Sequence, residues 1–126
     1  MGIYAIGVDI LEADRIRDAI DRHPGFIKRI YTENEIKYCE SKLKTRYLHY
    51  AARFAAKEAV AKSLTEGIGK NISFKEIELN KESTGAPYIK LYGNAHRWCK
   101  KLKVREIKIS VSMTEKYAAA FATSIL

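Results

Sequence analysis

The chain is poor in cysteine and has no long apolar stretch. Cys39 and Cys99 are its two cysteines. They lie far apart and outside any metal-ligand spacing, which predicts reduced thiols in a cytoplasmic protein rather than a disulfide framework. No run of about 18 apolar residues occurs, which excludes a membrane-spanning helix. The segment Met1-Gly2-Ile3-Tyr4-Ala5-Ile6 lacks the basic stretch of a secretory signal. It runs at once into a strand-like pattern, which argues against a myristoylation site. Repeats, low-complexity tracts and linker-like segments are missing. His23, His49 and His96 are scattered, so the sequence offers neither a histidine metal spacing nor a Ser-His-Asp arrangement. Gly67-Ile68-Gly69-Lys70 is not a nucleotide-binding P-loop, because its spacing is wrong and it follows a helix instead of opening one.

What is present fits one domain spanning residues 1–126. The chain has 126 residues, 47% hydrophobic and 30% charged. That composition excludes a disordered tail and supplies one core. A chain of this size buries roughly 65–70% of its unfolded surface, so no staple is needed. Basic residues number 23 against 15 acidic ones, a net charge of +8. The surplus points to an anionic partner: nucleic acid, an acidic protein or a phosphorylated small molecule.

The patterning predicts an α+β fold, a mostly antiparallel sheet packed on a long central helix. Ile3 to Leu11 reads as a buried strand. Glu12 to His23 reads as a helix stopped by Pro24-Gly25. Thr32-Glu33-Asn34-Glu35 has capping-box spacing and opens a helix to about Ser41. Lys44 to Glu66, rich in alanine and free of Gly and Pro, reads as one long helix closed by Gly67. Ser73 to Asn80 and Pro87 to Tyr92 form a hairpin around Glu82–Ala86. Asn94 is placed to cap a short helix ending near Lys103. Arg105 to Ser112 and Tyr117 to Ile125 complete the strands.

Two carboxylates break this pattern. Asp9 lies inside Ile6-Gly7-Val8-Asp9-Ile10-Leu11, where a buried charge costs several kcal/mol unless paired, hydrogen-bonded or metal-bound. Its strand face also carries the small Ala5 and Gly7, which leaves room. A hydrogen-bonded acid capping the next helix is the plainer alternative. Glu58 and Lys62 form a charged island in an apolar helix stripe that includes Phe54, Ala55 and Ala61. An ordinary i,i+4 pair on a wet face is the alternative there. Two lone carboxylates on apolar elements suit one hard divalent cation, with phosphates and water completing its shell. Arg15, Ala19 and Arg22 line one face of the first helix, and an exposed Phe26 and Arg29 follow. That face suits docking of an acidic helix.

These residues resemble a known family. Ile6-Gly7-Val8-Asp9-Ile10 with Glu12 and Arg15-Ile16 is similar to the opening motif of holo-acyl-carrier-protein synthases. Arg53-Phe54-Ala55-Ala56-Lys57-Glu58-Ala59-Val60-Ala61-Lys62, trailed by Gly67-Ile68-Gly69, resembles their central signature. Gly85-Ala86-Pro87, Ser110-Val111-Ser112-Met113-Thr114 and Tyr117-Ala118-Ala119-Ala120 resemble the later motifs. The resemblance implies Mg²⁺-dependent transfer of 4′-phosphopantetheine from coenzyme A to a serine of an apo acyl carrier protein. It further implies release of adenosine 3′,5′-bisphosphate, a cytoplasmic location and a homotrimer with active sites between subunits. By that resemblance Asp9 and Glu58 hold the metal, and Lys62 lies near the coenzyme phosphates. Arg53, Gly67, Thr84, Gly85, Pro87 and Thr114 contact the coenzyme. Arg15, Arg22, Phe26 and Arg29 dock the carrier. The family's late motif carries His where this chain has Met113. A thioether donates no hydrogen bond, so the expectation is a weaker coenzyme grip or compensation by Lys44 or Arg46. The competing reading is a small basic nucleic-acid-binding module. The charge favours it, but no RRM, KH, zinc-finger or helix-turn-helix pattern is present.

Overall fold

An alanine-rich helix is the element on which the other elements pack. The computed structural model describes residues 2–126; Met1, the first residue of the N-terminal segment discussed above, lies outside them. In chain order the elements begin β1 (Ile3–Glu12), α1 (Ala13–Arg22), α2 (Phe26–Ile30), α3 (Glu33–Glu40), a 3₁₀ turn (Leu43–Thr45) and α4 (Arg46–Ser63). They continue with a second 3₁₀ turn (Phe74–Glu76), β2 (Ile77–Lys81), β3 (Pro87–Leu91), α5 (Gly93–Lys101), β4 (Glu106–Met113) and β5 (Tyr117–Ile125). Ala51, Ala55, Ala56, Ala59, Val60 and Ala61 of α4 are fully buried. They meet the equally small Ala118, Ala120 and Ala122 of β5. Small side chains on both sides let helix and sheet approach closely, at no cost in rotamer freedom.

The expected α+β class and antiparallel pairing are borne out, with one change. The strands form two sheets, a three-stranded β1-β5-β4 sheet and a separate β2-β3 hairpin. β1 pairs antiparallel with β5 along its length, placing Asp9 opposite Ala120 and Val8 opposite Phe121.

Four local expectations are corrected. β1 is covered on one face only. Gly7 is buried and Asp9 half-buried, whereas Ile6, Val8 and Ile10 are 58–68% exposed. An Ile/Val run records β propensity but not which faces find cover. The stretch from Ser73 starts as a 3₁₀ turn because Ser73 and Glu76 close a capping box, with the Ser73 N–H donating to Glu76 Oε1 at 2.9 Å. Asn94 caps nothing. α5 begins at Gly93 (φ 54°) behind Tyr92, and the Asn94 N–H donates to Glu76. The long helix is also shorter than 44–66. It ends at Ser63, after which Thr65 and Gly67 take left-handed backbone.

Candidate active site

Asp9 reaches α4 because Gly7, two residues earlier, lets β1 lie against the helix. A Cβ at Gly7 would stand 2.8 Å from the Ser63 nitrogen and 2.9 Å from Lys62 Cβ. The carboxylate of Asp9, 18% exposed, takes an ion pair from Lys62 Nζ at 3.3 Å. The same ammonium donates to the Val8 carbonyl at 3.0 Å. Glu58, one turn earlier on α4, forms no ion pair with Lys62 among the described residues, so the i,i+4 alternative fails. Burial, then the negative charge of Asp9, hold the Glu58 carboxyl above the usual carboxylate range, and Lys62 offsets part of this. The helix-capping alternative for Asp9 fails too, because the N-cap of α1 is Glu12 and no side chain caps it.

Asp9 and Glu58 open into a cavity of about 340 Å³. Leu11, Ile16, Phe26 and Phe54 form its apolar walls, and Arg15 stands at its rim. Phe26 is half-buried, not exposed as the sequence suggested. It stacks on Phe54 with centroids 6.4 Å apart and meets Tyr31 edge-on. Phe26 and Arg29 belong to the short α2, and Arg22 and Arg29 are exposed outside the cavity lining. Among the described residues no three His, Cys, Asp or Glu side chains gather at one point. Two hard carboxylates beside open space nonetheless suit a Mg²⁺ ion that keeps waters and substrate phosphates as its other ligands.

A second cluster lies elsewhere on the chain. Arg53, Gly85, Pro87 and Met113 line a 160 Å³ pocket together with His49 and Lys81. The Arg53 guanidinium lies 4.1 Å from the Tyr38 ring centre, with Lys42 at 4.8 Å and Lys81 at 5.2 Å over the same ring. None of these three cations has a carboxylate partner among the described residues. Arg53 is buried and its Nε has no hydrogen-bond partner. Burial first, and then the charges of Arg53, Lys42 and Lys81, push His49 down to about 4. Burial would raise the Tyr38 phenol, but Lys81, Lys42 and Arg53 bring it below its ordinary value. Such an uncompensated positive field suits an anion. Gly85 (φ 91°) forms the adjoining turn with Thr84, whose hydroxyl accepts from Ala86 N–H at 3.4 Å. Thr114 turns its hydroxyl onto the Tyr117 N–H, 3.0 Å away, and closes the β4–β5 turn. Gly67 lines neither cavity.

The expected replacements for the missing histidine do not line the pocket that Met113 lines. Arg46 pairs with Glu40 at 2.9 Å and stacks on Tyr47. Lys44 lines a depression with Asp14 and Glu115. Lys81, Lys42, Tyr38 and His49 went unread in the sequence. Their one signal is the four-residue spacing of Tyr38 and Lys42. Lys57, inside the central signature, also received no role. It is fully buried and ion-paired to Glu35 at 2.7 Å.

The sequence profile of the 4′-phosphopantetheinyl transferase superfamily matches residues 5–122. This chain belongs to that superfamily. A holo-[acyl-carrier-protein] synthase of Ruminiclostridium cellulolyticum is 48% identical over 118 residues, covering 93% of this chain and 88% of the relative. The crystal structure of the Neisseria meningitidis holo-[acyl-carrier-protein] synthase superposes with a TM-score of 0.89 at 29% identity, over 99% of this chain and 100% of that one. The Helicobacter pylori enzyme, solved in complex with coenzyme A, gives 0.82 at 31% identity, over 94% and 98%. The expected family is therefore borne out, and the transferase fold carries both clusters described above.

Proposed function

We propose that the chain is a single-domain, cytoplasmic holo-acyl-carrier-protein synthase. It moves 4′-phosphopantetheine from coenzyme A to a carrier-protein serine and releases adenosine 3′,5′-bisphosphate. The observation that carries this reading is that Asp9 and Glu58 line one apolar-walled cavity, with Lys62 ion-paired to Asp9, in a phosphopantetheinyl transferase. Two free cysteines, both buried, agree with a reducing compartment.

Asp9 and Glu58 would hold Mg²⁺, which when bound neutralises the diphosphate and its leaving group. Lys62, already between β1 and α4, places its ammonium where negative charge develops on the transferred phosphoryl group. The serine oxygen bonds to the β-phosphorus as the bond from that phosphorus to the bridging oxygen breaks. The serine proton passes to Glu58 or to a water held beside it. Arg15 at the rim and the apolar wall of Phe26 and Phe54 orient an acidic carrier with an apolar side chain near its serine. Arg53, Lys42 and Lys81 grip a coenzyme phosphate. Gly85 and Pro87 shape the wall beside it, with Thr84 and Thr114 in the adjoining turns.

The two clusters line separate cavities, and one surface gives a reason. Ile6, Val8, Ile10, Tyr117 and Phe121 make an apolar sheet face that is 45–68% exposed, an unusual feature for a monomer. Packing copies through it, as the homotrimer that the resemblance implies, fits active sites that lie between subunits. Light scattering after size exclusion tests this: a trimer is expected, and a monomer with full activity refutes it.

The functional test mixes the protein with apo carrier protein, coenzyme A and Mg²⁺. A phosphopantetheine mass gain that EDTA prevents is expected. No gain, together with tight RNA binding, would favour the nucleic-acid-binding reading instead.

A further inference from the structure

β3 and β4 are edge strands of the two sheets. They approach within 8 Å between Cα atoms yet form no ladder. The seam between them ends in two depressions. One is the Arg53 pocket, reached through Pro87 and Val111. The other, about 640 Å³, lies at the opposite end, between Tyr88–Leu91 of β3, the start of β4 and the last turn of α5. Its volume is in the range of small-molecule sites, roughly 300–1,000 Å³.

This second depression is layered. Ile89, Leu91, Cys99, Val104 and Ile107 make the floor, either buried or half-buried. The rim is basic, with His96, Lys100, Lys103 and Arg105. Glu106, the one acid there, is already paired with Lys108 at 3.1 Å. Arg105 is occupied by the Leu126 carbonyl at 2.7 Å. Lys100 and Lys103 carry no salt bridge among the described residues. Lys103 is held in left-handed backbone (φ 64°) at the end of α5, where glycine is usual. The turn is closed by the Val104 N–H donating to the Cys99 carbonyl at 3.1 Å. That conformation is a local cost retained at the rim.

We propose that this groove binds an aliphatic carboxylate, a free medium- or long-chain fatty acid. Its chain lies on the branched aliphatic floor, and its head group is held by Lys100 and Lys103. An inserted peptide strand is excluded by the seam's width, because pairing on both sides needs roughly 9.5 Å between β3 and β4. The positive rim over an apolar floor selects a ligand with one anionic end. The proposal is independent of the transferase reading.

The test is a titration of the full chain with decanoate, below its micellar range, followed by backbone amide and methyl shifts. Saturable shifts confined to β3, the end of α5 and the start of β4 are expected. The uncharged 1-decanol should bind at least tenfold more weakly, as should decanoate to the Lys100→Glu/Lys103→Glu double variant. Both lysines are exposed, so the fold should hold, and thermal midpoints of variant and parent verify it. Equal affinity for decanol, shifts centred on the Ile6–Val8–Ile10 face, or no saturation up to about 1 mM would each overturn the proposal. A decanoate failure with saturable binding of an acidic peptide at the same residues would overturn it in favour of a protein ligand.

Discussion

Lys57 and Glu58 are neighbours on one helix and meet opposite fates. Lys57 points into the core, where its ammonium donates to Glu35 and to the Phe74 and Ile77 carbonyls. Glu35 in turn accepts from the Thr32 and Leu79 N–H groups, each at 3.0 Å. Every polar atom of that pair is answered, and α3, α4 and the β2–β3 hairpin are tied at one dry point. Glu58, turned about 100° around the same helix, faces a cavity with Asp9 at its side and only part of a lysine to balance it. The first arrangement holds the fold together. The second leaves charge unanswered and so has capacity for a ligand.

Breaking each arrangement separates them, and the largest effect belongs to the dry pair. Lys57→Ala strands a buried carboxylate and should cost about 3–5 kcal/mol of stability, read as a lower urea midpoint. Next come Asp9→Ala and Glu58→Ala. Both should lower transfer by at least about 100-fold while the urea midpoint stays near the parent's. Glu58→Gln should even raise the thermal midpoint at neutral pH, since it removes a carboxylate whose ionisation burial opposes. Substantial activity of either alanine variant in saturating Mg²⁺ would sink the metal assignment.

In the proposed function each basic surface serves one substrate. Arg15→Glu should raise KM for carrier protein about tenfold and leave KM for coenzyme A almost unchanged, whereas Lys81→Glu should do the reverse. Equal changes in both constants would refute separate roles. The smallest effect is a pH slope. His49, pushed down to about 4, binds fewer protons folded than unfolded between its ordinary 6.5 and 4. Stability should therefore rise with pH across that window, and His49→Gln should flatten the rise. Inorganic phosphate at the Tyr38 cluster should lift the His49 titration, followed by imidazole proton shifts.

Much of this was legible in the sequence for a physical reason. α4 announced itself through an unbroken alanine-rich run, and Asp9 and Glu58 stood out because a charge in an apolar pattern demands an explanation. Relations between distant segments were not legible. Lys81 and Tyr38 come from different elements and meet only over one ring. Arg46 looked available until Glu40, six residues away, claimed it. The exposed face of β1 was hidden too, because alternation reports two faces and says nothing about which one finds cover. Lys57 escaped notice because its partner lies on α3, 22 positions earlier in the chain.

Gly7 makes a last point about tolerance to change. It touches no substrate and carries no charge, yet a single added methyl group has no room between β1 and α4. The distance from Asp9 to Lys62 is thus enforced by a hydrogen atom. In a library of random variants, Gly7 should be as invariant as the carboxylates, and a search for functional groups would pass over it. The reach of natural drift around this candidate site is bounded by steric room as firmly as by chemistry.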